Sequence, residues 1–333
     1  MKKWIFSVIA LFLFYGCGTS INLSEYRKIP ISKSPLAPSK QELKREKIPN
    51  VLIQEFDNTT SKVARRASLD KNLPKVLENR LAESKLVHIL NRDKKFSLRE
   101  EIKAKELAME TGTDVGQADY IINGYITNAS FTNNYVEGKT YTVGDKTITL
   151  PPKYEYRACV SGVVKILELP DMKVADTTQF EGCATDSENL TIFKKPKIQD
   201  NGLVIEAGEN GIDSASYEIK NFFAIRGYIF EMRKNKDGDT ILNTTLGKSR
   251  GAEEGLKVDI FKLQKHTNPL TEETSIDEVK IGEGVISNQI ENSSSWVIVK
   301  ELESNSKIEI GDFVKPHYKE SLISRTLKMA GRI

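Results

Sequence analysis

The sequence predicts an α/β sheet domain of the α+β kind, covered by helices, followed by a small all-β barrel or sandwich. Three observations carry this reading. Residues 115–131, VGQADYIINGYITNASF, contain a very apolar strand built on Tyr120, Ile121, Ile122, Tyr125 and Ile126, which a water-exposed chain can only place inside a sheet. Amphipathic helical patterns precede that strand, and a further one follows it. Beyond about Gly227 the helical periodicity stops and short strands alternate with Gly/Asp turns.

The chain of 333 residues suits one large domain or two modest ones. The expected division is a signal peptide at 1–16, a lipidated tether at 17–48, the α/β domain at 49–225, the β domain at 227–318 and a tail at 319–333. Lys2 and Lys3 precede an apolar run from Trp4 to Phe14, too short to span a bilayer and arranged as a secretory signal. Gly16-Cys17-Gly18 closes the run, and LFYGCG resembles a bacterial lipobox. That resemblance implies that Cys17 carries diacylglycerol and an acylated amine, palmitate among the chains. Nothing acidic follows Cys17, so by resemblance the outer membrane is favoured, on its periplasmic face. The alternative is ordinary leader cleavage with Cys17 as an incidental thiol. Two or three acyl chains anchor a protein firmly, whereas one binds reversibly. Pro30, Pro35, Pro38 and Pro49 among Ser, Lys and Asn suit an extended tether, or a segment that lies along a neighbouring subunit.

The α/β elements follow in order. VLIQEFDN gives a strand over Val51–Phe56. Leu69, Leu73, Val76, Leu77, Leu81 and Leu86 recur at helical spacing. Val87-His88-Ile89-Leu90 reads as a short strand closed by Asn91-Arg92-Asp93, and Ser97–Met109 as a helix ended by Gly112. Strand, helix, strand, helix, strand describes helices packed on a sheet. Thr140–Val143 and Thr147–Leu150 flank Gly144-Asp145, a hairpin signal. Pro151-Pro152 interrupts the pattern, no clear membrane alternation is expected here, and the stretch after Cys183 reads as charged and irregular. A helix is expected from Gly202 to about Ala224, although Gly208 and Gly211 weaken it. In the β domain, IFEMR and TILNTTLG flank Asp237-Gly238, and further strands come from IFKLQ, EVKIGEGVISNQIE, WVIVKEL and IGDFVK.

Export gives the remaining cysteines a meaning, because an oxidising compartment lets a disulfide persist. YRACVSGVVKILEL and MKVADTTQFEGC form two strands joined across Pro170-Asp171. With the hairpin centred on Asp171, opposed residue numbers sum to 342, and Cys159 and Cys183 meet that sum. They are expected to face each other and bridge. No CxxC or nearby histidine supports a redox or metal role.

Residues 51–225 resemble the curli production assembly/transport lipoproteins (CsgG-like) and their holdfast-anchoring relatives. The resemblance rests on VLIQEFDN, RLAESKLVHILNRD, ADYIINGYITNASF and SGVVKILELPDMKVADTTQFEG. It implies a soluble α/β core that assembles into a ring, with inserted hairpins forming a channel in that family. Ile229–Val314 resembles the C-terminal domain of flagellar assembly protein T, through LGKSRGAEEGLKVDIFKL, IGEGVISNQI and IEIGDFVK. Val258-Asp259 departs from that pattern where a glycine is usual, which implies an altered turn.

Candidate chemistry is sparse. Without Lys2 and Lys3 the formal charge of +3 falls to +1, which gives no reason to expect nucleic acid. Gly282-Glu283-Gly284 opens no helix, so it fails as a nucleotide loop. The histidines, His88, His266 and His317, lie far apart in sequence. Asp57, Asp93 and Asp119 sit near strand boundaries, where loop capping accounts for them. No catalytic residue, cofactor or metal ligand is assigned. The expected function is an anchored, homo-oligomeric assembly or transport component with envelope or flagellar proteins as partners: secretion, curli-like export or a flagellar accessory ring. The alternative is a monomeric adaptor lipoprotein that binds or activates a peptidoglycan synthase, or binds the cell wall. An enzyme is the remaining class and lacks a visible constellation.

Overall fold

The computed structural model describes residues 19–91, 98–112, 116–190, 195–304 and 306–320. Cys17, Asp93 and the tail beyond residue 320 lie outside them. In chain order the elements are β1 (Arg27–Ile29), α1 (Lys40–Arg45), β2 (Asn50–Ile53), α2 (Lys62–Arg66), α3 (Leu69–Ser84), β3 (His88–Ile89) and α4 (Leu98–Thr111). There follow β4 (Tyr120–Val136), β5 (Lys139–Val143), β6 (Lys146–Leu150), β7 (Lys153–Glu168), β8 (Lys173–Asn189) and α5 (Asn201–Phe222). The last are β9 (Gly227–Lys234), β10 (Thr240–Thr244), β11 (Lys257–Thr267), β12 (Thr274–Ile290), β13 (Ser295–Leu302) and β14 (Phe313–Pro316). They divide into an α/β unit, chiefly residues 38–226, and a β unit made from residues 19–37 and most of 227–314.

The α/β unit holds a five-stranded sheet in the order β3-β2-β4-β7-β8. β3, β2 and β4 run parallel because each is followed or preceded by a helical crossover, while β4, β7 and β8 are antiparallel neighbours. The leucine stripe does what its spacing predicts. Leu69, Leu73, Leu77 and Leu81 of α3 are fully buried, and each contributes roughly 2 kcal/mol of gross burial. They meet Val204, Ala207, Ile212 and Ile219 of α5 and, across the sheet, Ile122, Ile126, Val160 and Val164. Arg80 ties the two helices on the surface: its Nε donates to Asp213 Oδ1 at 2.6 Å and its Nη2 to Asp213 Oδ2 at 3.0 Å. On the opposite face Ile102 of α4 joins Ile121, Leu167 and Leu169.

The glycines of α5 are contacts, not weaknesses. A Cβ on Gly208 would come within 2.7 Å of Leu73 Cδ2, and one on Gly182 of β8 would run into the backbone of Gly211 and Ala207. Helix and strand therefore approach closely enough that only hydrogen fits between them.

The hairpin of β7 and β8 keeps the expected register, with Cys159 opposite Cys183. An irregularity at Ile166/Leu167 then shifts the last pairs by one residue. Beyond Cys183 the chain is not irregular: β8 continues to Asn189, pairing residue by residue with β7 from Ala184 opposite Ala158 to Asn189 opposite Lys153.

The β unit contains a closed barrel. β9, β10, β13, β12, β11 and β14 follow one another, and β14 returns to β9. β9 divides its edge: Tyr228 and Gly227 pair with β14, and Met232–Lys234 pair with β1. Inside lie Ile229, Leu242, Val258, Ile260, Ile286, Val297 and Val314. Val258 sits within a continuous strand opposite Gly284, so the altered turn expected at Val258-Asp259 is absent. Instead of an extended tether, residues 19–37 carry ordered chain against the barrel. Ile21, Leu23 and Tyr26 cover Ile241, Trp296 and Ile298 on its outer wall. Ser34 N–H donates to Ile310 O at 2.9 Å, and Ile310 N–H to Ser32 O at 2.8 Å. Apolar side chains on both faces of β13 demand such a cover. Farther on, α1 begins with a capping box between Ser39 and Glu42.

Candidate assembly surface

Of the described aspartates expected as loop caps, Asp57 acts as one, whereas Asp119 binds across the fold to β2 and α4. Asp57 Oδ1 accepts from Thr59 N–H at 2.8 Å, and this holds its carboxyl below the usual carboxylate range. Asp119 Oδ2 accepts from Asn50 N–H at 2.8 Å, and its Oδ1 pairs with Lys105 of α4. Glu101, fully buried, accepts from Ala118 N–H at 2.6 Å. Two α4 side chains thus clasp the start of β4. A cleft of ≈ 770 Å³ opens beside them, lined by His88, Lys105, Asp119, Tyr120 and Glu168. Both oxygens of Asp119 are engaged by protein donors, so this carboxylate serves as a clasp. Burial, with Glu168 and Asp119 nearby, raises the Tyr120 phenol. Among the described residues no group of three or more His, Cys, Asp and Glu is placed to share a metal ion.

The core strand residues divide by face. Ile121, Ile122 and Ile126 are buried, and Tyr120 is half-buried with its ring edge-on to Phe222 and Phe223. Tyr125 points outward, with Lys165 Nζ 5.2 Å above its ring. On the same outward side Cys159 and Cys183 form a disulfide. Arg157 lies over it, Nε 3.4 Å from Cys159 Sγ and Nη2 3.7 Å from Cys183 Sγ. Asn210 Nδ2 donates to Cys183 O at 3.2 Å, tying α5 to β8. A second cleft of ≈ 700 Å³ lies near that contact, lined in part by Arg157, Glu181, Glu218, His317 and Glu320. His266 belongs to β11 of the other unit. Within the α/β unit His88 and His317 line different clefts.

The most distinctive surface is an arm formed by β4–β7 and continued by β5–β6. From Asn128/Ser161 to Val136/Lys153 the paired residue numbers sum to 289, and so do those from Lys139/Leu150 to Val143/Lys146. Pro151-Pro152, lacking N–H donors, break the ladder without changing its register. The alternation missed in the sequence is regular across this break. One side of the ladder carries Phe131 opposite Ala158, Asn133 opposite Tyr156, Tyr135 opposite Tyr154, Lys139 opposite Leu150, Tyr141 opposite Ile148 and Val143 opposite Lys146. The other carries Thr132, Thr140 and Thr142 opposite Arg157, Thr149 and Thr147. Tyr156 is buried and stacks on Phe131 at 5.8 Å, whereas Tyr135, Tyr141, Val143, Ile148 and Leu150 are 40–62% exposed. The aromatic stripe therefore begins in the core and runs out into solvent. A soluble monomer rarely leaves such a stripe uncovered. Among the described residues no helix is long and apolar enough to cross a membrane.

Among the solved structures similar to about half of this chain are three from different organisms. One is the PelC dodecamer from Paraburkholderia phytofirmans, at 10% identity, covering 56% of this chain and 92% of that one, with a TM-score of 0.22. Another is the hypothetical protein CT253 from Chlamydia trachomatis, at 12% identity, 53% and 98% coverage and a TM-score of 0.26. The third is a minor lipoprotein from Acinetobacter baumannii, at 8% identity, 52% and 94% coverage and a TM-score of 0.24. At these scores the likenesses carry no argument about function. No family model and no curated relative matches the sequence.

Proposed function

We propose that this protein is a lipoprotein of the outer membrane, anchored through Cys17 on the periplasmic face, that assembles with copies of itself as a non-enzymatic component of a cell-envelope export or assembly machine. The observation that carries the reading is the aromatic and aliphatic stripe of the arm, which starts at buried Tyr156, passes Asn133 and Lys139 on the same side, and ends at an exposed tip of Tyr141, Val143, Ile148 and Leu150. Burying Tyr141, Val143, Ile148 and Leu150 against a neighbour offers roughly 1 kcal/mol or more per side chain. The threonine face remains compatible with water. The leader and the Cys159–Cys183 bridge support export, and the resemblance of residues 51–225 to curli-export lipoproteins points the same way. Service to a flagellar ring rests only on the resemblance of Ile229–Val314.

Light scattering of the full-length protein in mild detergent tests this reading. The expected mass is several times that of the lipidated chain beginning at Cys17, which without its leader is smaller than the 37.4 kDa of all 333 residues. Replacing both Tyr141→Lys and Ile148→Lys is expected to dissociate the particle while leaving the thermal melt of the subunit unchanged. A monomer at micromolar concentration would overturn self-assembly and favour the adaptor reading.

A further inference from the structure

The first described residues after Cys17 are held by one side chain and its backbone. Asn288 N–H donates to Thr19 O at 3.0 Å, Asn288 Oδ1 accepts from Ile21 N–H at 3.1 Å, and Asn288 Nδ2 donates to Ser20 Oγ at 3.2 Å. Thr19 Oγ1 adds a bond to Glu254 Oε1 at 2.6 Å. Ile21 and Leu23 then continue onto the outer wall of the barrel. Thr19 is thus fixed to the β unit only two residues beyond the cysteine expected to carry lipid.

We infer that the β unit is held with its Asn288–Glu254 rim against the lipid headgroups by a two-residue leash. The inference rests on lipidation of Cys17 and adds to it a defined surface and distance. Two Cα–Cα steps span at most about 7 Å, so this rim lies within roughly 10–15 Å of the lipid glycerol. A free tether over residues 18–48 would instead allow about 100 Å. Covalent reach, not charge, holds the rim there. Glu253, Glu254 and Glu291 are balanced by Lys248, Arg250 and Lys257 along this stretch of the sequence, which gives an anionic bilayer no net attraction to it. The occupant of this face is therefore a bilayer brought to it by the anchor.

A fluorophore reports the distance. Cys159 and Cys183 are bridged and an acylated Cys17 is blocked, so Glu253→Cys in the full-length lipoprotein gives one labelling site. The protein is placed in phosphatidylethanolamine/phosphatidylglycerol vesicles carrying a headgroup-linked nitroxide quencher, and mass spectrometry of the same sample reports acylation of Cys17. The expected result is acylated protein with emission quenched at least twofold. Inserting a 20-residue Gly/Ser spacer between Gly18 and Thr19 should restore the emission. Acylated protein without quenching would overturn the inference and leave the lipoprotein reading intact. Quenching that survives the spacer would also overturn it, because the barrel would then bind lipid by its own surface. Protein that is not acylated would sink both.

Discussion

The backbone N–H of Phe56 donates to the carbonyl oxygen of Asp70 at 3.0 Å. That oxygen is available because Pro74, four residues along α3, has no N–H to offer it. A proline that would ordinarily weaken a helix instead provides an acceptor that fixes the chain leaving β2. The ring of Phe56 is thereby set over Gly124, where any Cβ would meet it, and 6.5 Å from the ring of Phe180.

Phe56→Ala is expected to cost about 3–5 kcal/mol through loss of the buried ring. Gly124→Ala alone is expected to destabilise by about 1–3 kcal/mol, since the new methyl overlaps the ring. In the Phe56→Ala background the same change should cost much less, with a coupling of at least about 1 kcal/mol. Urea unfolding of the four proteins measures this, and simple additivity would contradict the packing described.

Reduction of the Cys159–Cys183 bridge should lower stability by about 2–4 kcal/mol, chiefly by releasing the unfolded chain. The paired strands remain, because their ladder extends on both sides of the bridge. Denaturant midpoints with and without reductant, alongside thiol counting, provide the check. Free thiols in freshly isolated envelope would show that the bridge does not form in the cell.

A third prediction concerns pH. Burial pushes the Asp312 carboxyl up to about 6 from its ordinary 3.8, partly offset by the N–H of Glu309, which donates to Asp312 Oδ2 at 2.8 Å. Between these values the folded protein holds a proton that the unfolded chain has released. Its contribution to stability therefore falls as pH rises from about 4 to about 6 and is constant above. Glu309 acts in the opposite sense, since Lys262 and Ser32 hold its carboxyl low and its contribution is lost on acidification. Asp312→Asn keeps an acceptor for Glu309 N–H and cannot ionise. Its melting temperature relative to the wild type should rise across pH 4 to 6.5 and then level off. A difference independent of pH would refute the assignment.

Much of the α/β unit was legible because its signals are local. The leucine spacing of α3, the apolar core strand and the phase of Cys159 against Cys183 are each set within a few tens of residues. The glycines of α5 misled because propensity penalises them where they stand, while their reason, Leu73 and Gly182, is distant in sequence. The arm's threonine/aromatic alternation was present in the letters but hidden by Pro151-Pro152. The proline-rich composition of residues 19–37 suggests a tether, whereas Trp296-Val297-Ile298-Val299 marks a strand needing cover on both sides. The Asn288 clamp had no readable signal: it joins residues 267 apart through side-chain and backbone bonds.

The β unit is written in the chain in two pieces, with residues 38–226 between them. Synthesis proceeds from the N-terminus, so Ile21, Leu23 and Tyr26 are made long before the wall they will cover. At ordinary elongation rates the delay is roughly ten to forty seconds. During it these side chains are adhesive and without a seat, and Asp312, Phe313 and Val314 must still arrive to shut the barrel. The nascent protein thus carries an early liability that its last strand removes, and a chain cut short after the α/β unit would keep that liability for as long as it survived.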